Sequence, residues 1–472
     1  MKQGALPSIA ATTYDRSACR AGVVHLGYGA FHRAHQAVYI DDYMEQTGDL
    51  RWGITAVNLR QEEQAVFAQS SASNGYLLKS VNPDGHATLQ RVRSHVAFGD
   101  WSTDAAAAEA LLSGPDVHMV TITVTESGYY TDPKGDLNLD EPLIASERAG
   151  GAKKSIYAYL CAGLLHRMRN NGAPLTVVCC DNIRSNGKML RRNLAAYMTA
   201  TGQEDLAAWV AENVSFPCSM VDRITPRSTA AMRAEIEAAV GKQDAAPIVA
   251  EAFVQWVLQE NFAGPMPDLA AVGVTVTPDV DPYEEAKIRI LNGGHTCLTY
   301  MAALEGIETF DAAMRRPDLF AHFWQYETKE VLPGLTIALP FDKAAYLDSI
   351  LARFQNAAIA DTVARICADG MAKFPIFIRP TLDGCLAQGI MPHHGMTAIA
   401  SWYVFAQHVA AGRIGFKYLE PSWAGLSKML SADTREAFIT SRQLWGDLPT
   451  TYPAFADALR AEIIEKEIKW PV

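Results

Sequence analysis

The chain has 472 residues, with 41 Lys and Arg against 52 Asp and Glu for a formal charge of −11; 49% of it is hydrophobic and 20% charged. That length exceeds one ordinary core and predicts two large domains, and the composition excludes a disordered or fibrous chain. The acidic balance argues against nucleic acid or an anionic membrane surface as partner, although a local cluster of cations can still hold an anionic substrate.

No uninterrupted apolar run reaches the roughly 18 residues of a membrane span. The opening stretch, MKQGALPSIAATTYDRSACR, has no compact apolar core of signal-peptide type. The eight cysteines, at 19, 161, 179, 180, 218, 297, 367 and 385, form no CxxC pair. Reduced thiols in a cytoplasmic protein are expected, several of them packed as small apolar side chains.

In chain order, Ala21–Leu26 (AGVVHL) reads as a strand, Phe31 to about Glu45 as a helix and Trp52–Val57 (WGITAV) as a second strand. Val117–Val124 (VHMVTITV) and Leu175–Cys180 (LTVVCC) are further apolar runs rich in Val, Ile and Thr. Continuous runs of this kind suit parallel strands buried on both faces, and strands alternating with helices imply a doubly wound α/β sheet. From Pro282 the pattern turns helical: 283–306, 309–330, 343–369, 379–389, 394–411, 431–444 and 453–468. The domain boundary is placed near Val280–Asp281–Pro282, giving domains over 1–280 and 281–472.

The first strand runs into Gly27-Tyr28-Gly29-Ala30-Phe31-His32. Glycines at a strand-to-helix turn allow a tight bend and close approach of the backbone to a pyrophosphate at the helix start. The third position of the usual glycine fingerprint is His32, so the pattern rests on its place after an apolar strand and before a helix. An ordinary tight turn is the competing reading. Cofactor contacts are expected from Gly27, Gly29, Ala30 and Phe31. At the end of the second strand, Asn58 has the chemistry to bond ribose hydroxyls, and Arg60 to attract a 2′-phosphate, unless Arg60 is simply solvated and Glu62 or Glu63 reaches the ribose. NAD is favoured, with NADP left open. Thr125 and Glu126, at the end of a later strand, complete the expected cofactor contacts.

The stretch from Tyr283 to His295 (YEEAKIRILNGGH) carries the most chemistry. On a regular helix, at about 100° per residue, Asn292 lies about 140° and His295 about 80° from Lys287, so the three share one broad face. Glu284 lies on the same side. A buried lysine lowered from about 10.4 towards 7–8 can serve as a general base. An asparagine amide can hold a developing alkoxide, and a histidine can orient hydroxyls. Singly, each residue is as readily structural. Two successive helical glycines, Gly293 and Gly294, cost roughly 1 kcal/mol each, which points to close approach by a ligand or by a neighbouring helix.

With these residues in view, the sequence resembles the polyol-specific long-chain dehydrogenases, the family of mannitol 2-dehydrogenase and fructuronate reductase (D-mannonate oxidoreductase). The resemblance covers nearly the whole chain. It is carried by GYGAFHRAHQAVYIDD at 27–42, TESGYY at 125–130, CDNIRSNG at 180–187, VDRITP at 221–226, KIRILNGGH at 287–295 and RFQNAAIADTVARICADGMAKFPIFIRPT at 353–381. It implies a Rossmann-like N-terminal domain, a mainly helical C-terminal domain and zinc-free hydride transfer between a nicotinamide cofactor and C2 of a sugar alcohol or ketose. Lys287 is then the general acid/base. Asn292 and Asn182 hold the reacting oxygen, with Asn186 a competitor for the second place. His295, Asp222, Arg365 and Lys373 are implied substrate contacts, and Glu284 a proton relay. The site is expected in a cleft between the domains. An acidic cofactor-selecting residue, usual near Asn58–Gln61, is missing.

Substrate choice stays open between a polyol/ketose pair, which is preferred, and a uronate such as fructuronate, for which Arg184, Arg365, Lys373 and Arg379 are candidate carboxylate partners. Two remote rivals are a metal hydrolase built on His393–His394 or His32 with His35, which lacks an obvious third ligand, and a non-catalytic nucleotide sensor. A monomer and a small homo-oligomer both fit.

Overall fold

In the computed structural model, residues 9–61, 64–132, 134–226, 229–240 and 247–472 are described. Glu62 and Glu63, considered above for the ribose, lie outside the described residues. The apolar runs of the first half form a six-stranded sheet: β1 (Val23–Leu26), β2 (Ile54–Asn58), β3 (His95–Asp100), β4 (Met119–Ile122), β5 (Leu175–Cys179) and β6 (Val214–Ser215). Every residue of β1, β2, β4 and β5 is buried, the condition that continuous Val/Ile/Leu runs satisfy. The strand order is β3-β2-β1-β4-β5-β6, and every pairing is parallel. This is the doubly wound dinucleotide-binding order, in which the chain reverses direction across the sheet between β1 and β4.

The chain divides into two compact units, Met1–Asn82 with His86–Asp281, and Pro83–Gly85 with Pro282–Val472. The first unit also holds two smaller sheets that the apolar runs did not announce. One has four strands, Ile9–Ala11, Ala87–Val92, Tyr76–Val81 and Ile248–Glu251; the other has three, Ser219–Asp222, Gln255–Gln259 and Thr275–Thr277.

The helix expected from Phe31 is two, Ala30–Ala34 and Gln36–Thr47. His35 breaks it at φ −126° and ψ −91°, with its ring bonded to the Gln255 carbonyl at 2.9 Å. His25, in the middle of β1, is fully buried between the Thr121 and Thr123 hydroxyls at 2.8 and 3.0 Å. Burial pushes its pKa down to about 3. It stacks on His32, whose Nε2 is 2.9 Å from that of His95. Three imidazoles thus sit as neutral core groups beneath the glycine turn.

In the second unit, three expected long helices are segmented. Pro317 opens a new helix at Pro317–Gln325, Thr362 caps Val363–Cys367, and Ser441 caps Arg442–Trp445. The long helix His393–Ala410 packs on Gly293–Leu304 and on Pro453–Lys469. The helix from Asp281 to Leu304 is not regular. Lys287–Asn292 forms a π-helical segment, and the Gly293 N–H reaches back to the Ile288 carbonyl. Two further π segments, Tyr326–Val331 and Phe374–Ile378, pack against it. All eight cysteines are free, seven of them buried. Among the described residues no helix is long and apolar enough to cross a membrane.

Candidate active site

In the first unit, the ends of β1, β2, β4 and β5 are tied together at the topological switch point. Gly27 has φ +98°, and a Cβ there would lie 2.1 Å from the Thr123 carbonyl, so this turn accepts only glycine. Gly29 differs: a Cβ there would meet nothing within 4 Å. Packing inside the protein does not demand that glycine, whereas an approaching pyrophosphate does. The turn therefore fits a dinucleotide. Gly27→Ala is expected to cost stability of about 1–3 kcal/mol as well as cofactor affinity. Gly29→Ala should weaken affinity while costing the fold no more than the modest N-cap difference between the two residues. Denaturant titration beside NAD binding separates them, and equal stability losses would contradict the assignment.

Asn58 is buried, and its amide is turned inward. Nδ2 donates to the Arg60 carbonyl at 2.9 Å and to Asp100 Oδ1 at 3.2 Å, while Oδ1 accepts from the Arg60 N–H at 3.2 Å. Arg60 is exposed and donates from Nη2 to the Val124 carbonyl at 3.4 Å. Thr125 and Glu126 are exposed just beyond β4. Past β5, the two candidate asparagines part company. Asn186 is fully buried and bonded to the Asp181 carbonyl (3.1 Å), the Ser219 carbonyl (2.8 Å) and the Ser219 N–H (2.9 Å). Asn182 is exposed. Asp222 is buried at the end of its strand.

In the second unit, Glu284 (8% exposed), Lys287 (7%), Asn292 (9%) and His295 (8%) are all buried. A π turn closes on residue i+5 rather than i+4. Lys287 and Asn292, five apart, therefore stand closer to one line than the 140° of a regular helix, which corrects the angular estimate above. His295 stacks on Phe354 with ring centres 4.1 Å apart and meets Phe310 edge-on at 4.6 Å. Burial, reinforced by Arg365, Arg353 and Lys373, holds its pKa well below the usual value, so the ring is neutral. Its Nε2 is buried without a hydrogen-bond partner among the described residues. Arg365 is paired with Asp361 through Nε at 2.6 Å and through Nη2, and Lys373 Nζ donates to the Ile366 carbonyl at 2.8 Å.

Helix packing accounts for the paired glycines. A Cβ on Gly294 would lie 2.7 Å from Glu327 Oε1 and 2.8 Å from Phe323 Cε2, and one on Gly293 3.1 Å from the Phe377 carbonyl. Glu327, unnoticed in the sequence, is fully buried, and burial drives its pKa well up. Asp181 was also missed. Its position directly after a buried strand and before Asn182 was the available signal.

A doubly wound domain with a glycine turn at its switch point, followed by a helical unit with a buried Lys, Asn and His on one helix, defines a nicotinamide-dependent oxidoreductase class. Residues 21–271 match the mannitol dehydrogenase Rossmann domain, and 279–463 match the mannitol dehydrogenase C-terminal domain. The chain is 38% identical to a D-arabinitol 4-dehydrogenase of Ralstonia nicotianae, over 93% of this chain and 95% of that one. It is 35% identical to a mannitol 2-dehydrogenase of Cereibacter sphaeroides, over 93% of each. The structure of Pseudomonas fluorescens mannitol 2-dehydrogenase, a ternary complex with NAD and D-mannitol, superposes with a TM-score of 0.88 at 31% identity, covering 97% of this chain and 94% of that one. The protein belongs to the mannitol dehydrogenase family, and it is an oxidoreductase of polyols.

Proposed function

We propose that the protein is an NAD-dependent, metal-independent polyol 2-dehydrogenase, interconverting the secondary alcohol of a mannitol-like substrate and the ketone of a fructose-like one. The observation that carries the proposal is the buried π-helical segment running from Lys287 to Asn292, with the unpartnered Nε2 of His295 just beyond it. π segments concentrate at functional sites.

Nicotinamide, when bound, accepts or returns the hydride at the substrate carbon. Lys287 takes the hydroxyl proton during oxidation and returns it during reduction. Burial is the condition under which a lysine serves as base. Asn292 and Asn182 donate amide N–H groups to the substrate oxygen as negative charge grows on it. Asn182 is chosen because the Asn186 amide is spent on Asp181 and Ser219. The neutral His295 ring, Asp222, Arg365 and Lys373 contact the remaining hydroxyls, and Glu284 relays the proton of Lys287 to solvent.

A polyol is chosen over a uronate because Asp361 already balances the charge of Arg365. The relatives named for D-arabinitol and mannitol support the same choice. The neighbour solved with NAD supports NAD. Gly27, Gly29, Ala30, Phe31, Arg60, Thr125 and Glu126 border its place, and Asn58 acts by shaping the Arg60 turn. No group of three or more His, Cys, Asp or Glu side chains among the described residues is placed to hold a metal ion.

The test is a panel of hexitols, pentitols, fructose and fructuronate with NAD and NADP. The highest kcat/KM is expected for a polyol/ketose pair with NAD. Preference for fructuronate, or for NADP, would overturn that part of the assignment.

A further inference from the structure

Beyond β4 the chain enters a conformation that its sequence does not favour. Thr125 has φ 69° and ψ 160°, a region that is essentially the preserve of glycine and costs a side-chain-bearing residue free energy. Such a conformation persists only where its surroundings dictate it. Here a single carboxylate does so. Asp181, just past β5, accepts the Val124 N–H at Oδ2 (2.9 Å) and the Thr125 N–H at Oδ1 (3.0 Å). The Tyr129 hydroxyl donates to the same Oδ2 at 2.6 Å, and the Gly128 N–H closes the turn on the Thr125 carbonyl at 3.0 Å.

The grip extends on both sides. The Asp181 carbonyl accepts from Asn186 Nδ2 at 3.1 Å, which fixes the backbone from which Asn182 projects. Thr123, two residues before Thr125, is the residue whose carbonyl faces Gly27. One side chain therefore links the end of β5 to the strained turn after β4, next to the glycine turn after β1.

We propose that Asp181 is a positioning residue for cofactor binding: its carboxylate holds Thr125 in the strained conformation that shapes the pocket at the switch point. The inference rests on the cofactor reading given above. The ionised form is the one that accepts three donors. Burial pushes its pKa up to about 6, against the opposing pull of Tyr129 and the two amides.

The test is a double-variant cycle on the full-length protein, read by NAD binding and by amide exchange. Asp181→Asn places an NH2 against one of the two backbone N–H groups. It should speed exchange of the Val124 and Thr125 amides and weaken NAD binding by roughly tenfold or more. Thr125→Gly removes the strain that needs holding. In that background Asp181→Asn should cost several-fold less than it does alone. Should Asp181→Asn alone fail to fold, Thr125→Gly is expected to rescue it, and absence of rescue would count against the proposal. A residue that merely supports the fold would lose the same factor in both backgrounds, which would overturn the proposal. Unchanged exchange at 124 and 125, or unchanged NAD affinity in Asp181→Asn beside normal binding by the unmodified protein, would overturn it as well. Failure of the unmodified protein to bind NAD would overturn both this inference and the cofactor reading.

Discussion

Lys287→Ala is expected to lower kcat for polyol oxidation by roughly 10²- to 10⁴-fold, the usual contribution of a positioned acid/base, while NAD binding stays nearly unchanged. Lys287 belongs to the second unit, whereas the glycine turn and strand ends that fit the dinucleotide belong to the first. The sign of its pH dependence follows from its role. A base must be unprotonated, so oxidation should rise with pH as Lys287 loses its proton. Ketone reduction needs the protonated form and should fall over the same range. Both limbs should vanish in the variant. A variant with near-normal turnover, or with both limbs intact, would remove Lys287 from the mechanism.

Asn292→Ala is expected to cost roughly 10²- to 10³-fold in kcat, the cost of losing one preorganised donor to an oxyanion. The loss should fall on kcat far more than on KM, since the donor matters most where charge develops on the oxygen. The fold is expected to tolerate the change. The local bond that anchors this residue runs from Thr296 Oγ1 to the Asn292 backbone carbonyl at 2.8 Å, and an alanine keeps it. Asn292→Asp should be worse than Asn292→Ala, because a carboxylate repels the alkoxide that the amide stabilises. Steady-state kinetics of the two variants, with thermal unfolding as control, checks the order. A KM effect at unchanged kcat would make Asn292 a ground-state contact only.

The doubly wound sheet was legible because β1, β2, β4 and β5 are buried on both faces, which writes unbroken apolar runs into the sequence. The two smaller sheets were not. Ala87–Val92 mixes buried and partly open positions and Thr275–Thr277 has no buried residue, so neither writes an unbroken apolar run into the sequence. The residues of the helical site were legible as Lys-x4-Asn-x2-His, but their mutual geometry was not. KIRILN carries no local signature of a π turn. That turn lies beside Gly293 and Gly294, which are pressed against Phe323, Phe354, Glu327 and the Phe377 backbone, contacts made by residues far along the chain. Asn182 and Asn186 were inseparable for a similar reason. Both follow one buried strand, and they are told apart by burial and by the bonds of Asn186 to Ser219, a residue of a later strand. Asp181 stayed hidden because a carboxylate after a strand has many uses, and its use here depends on amides at 124 and 125.

The most direct measurement is absorbance at the reduced-nicotinamide band when purified protein is mixed with NAD and D-mannitol or D-arabinitol, before and after exhaustive treatment with a chelator. Reduced cofactor is expected to form only when protein, polyol and NAD are all present, at a rate that the chelator leaves unchanged. No reduced cofactor with any polyol, or a rate abolished by the chelator and restored by a divalent metal, would contradict metal-independent hydride transfer at this site.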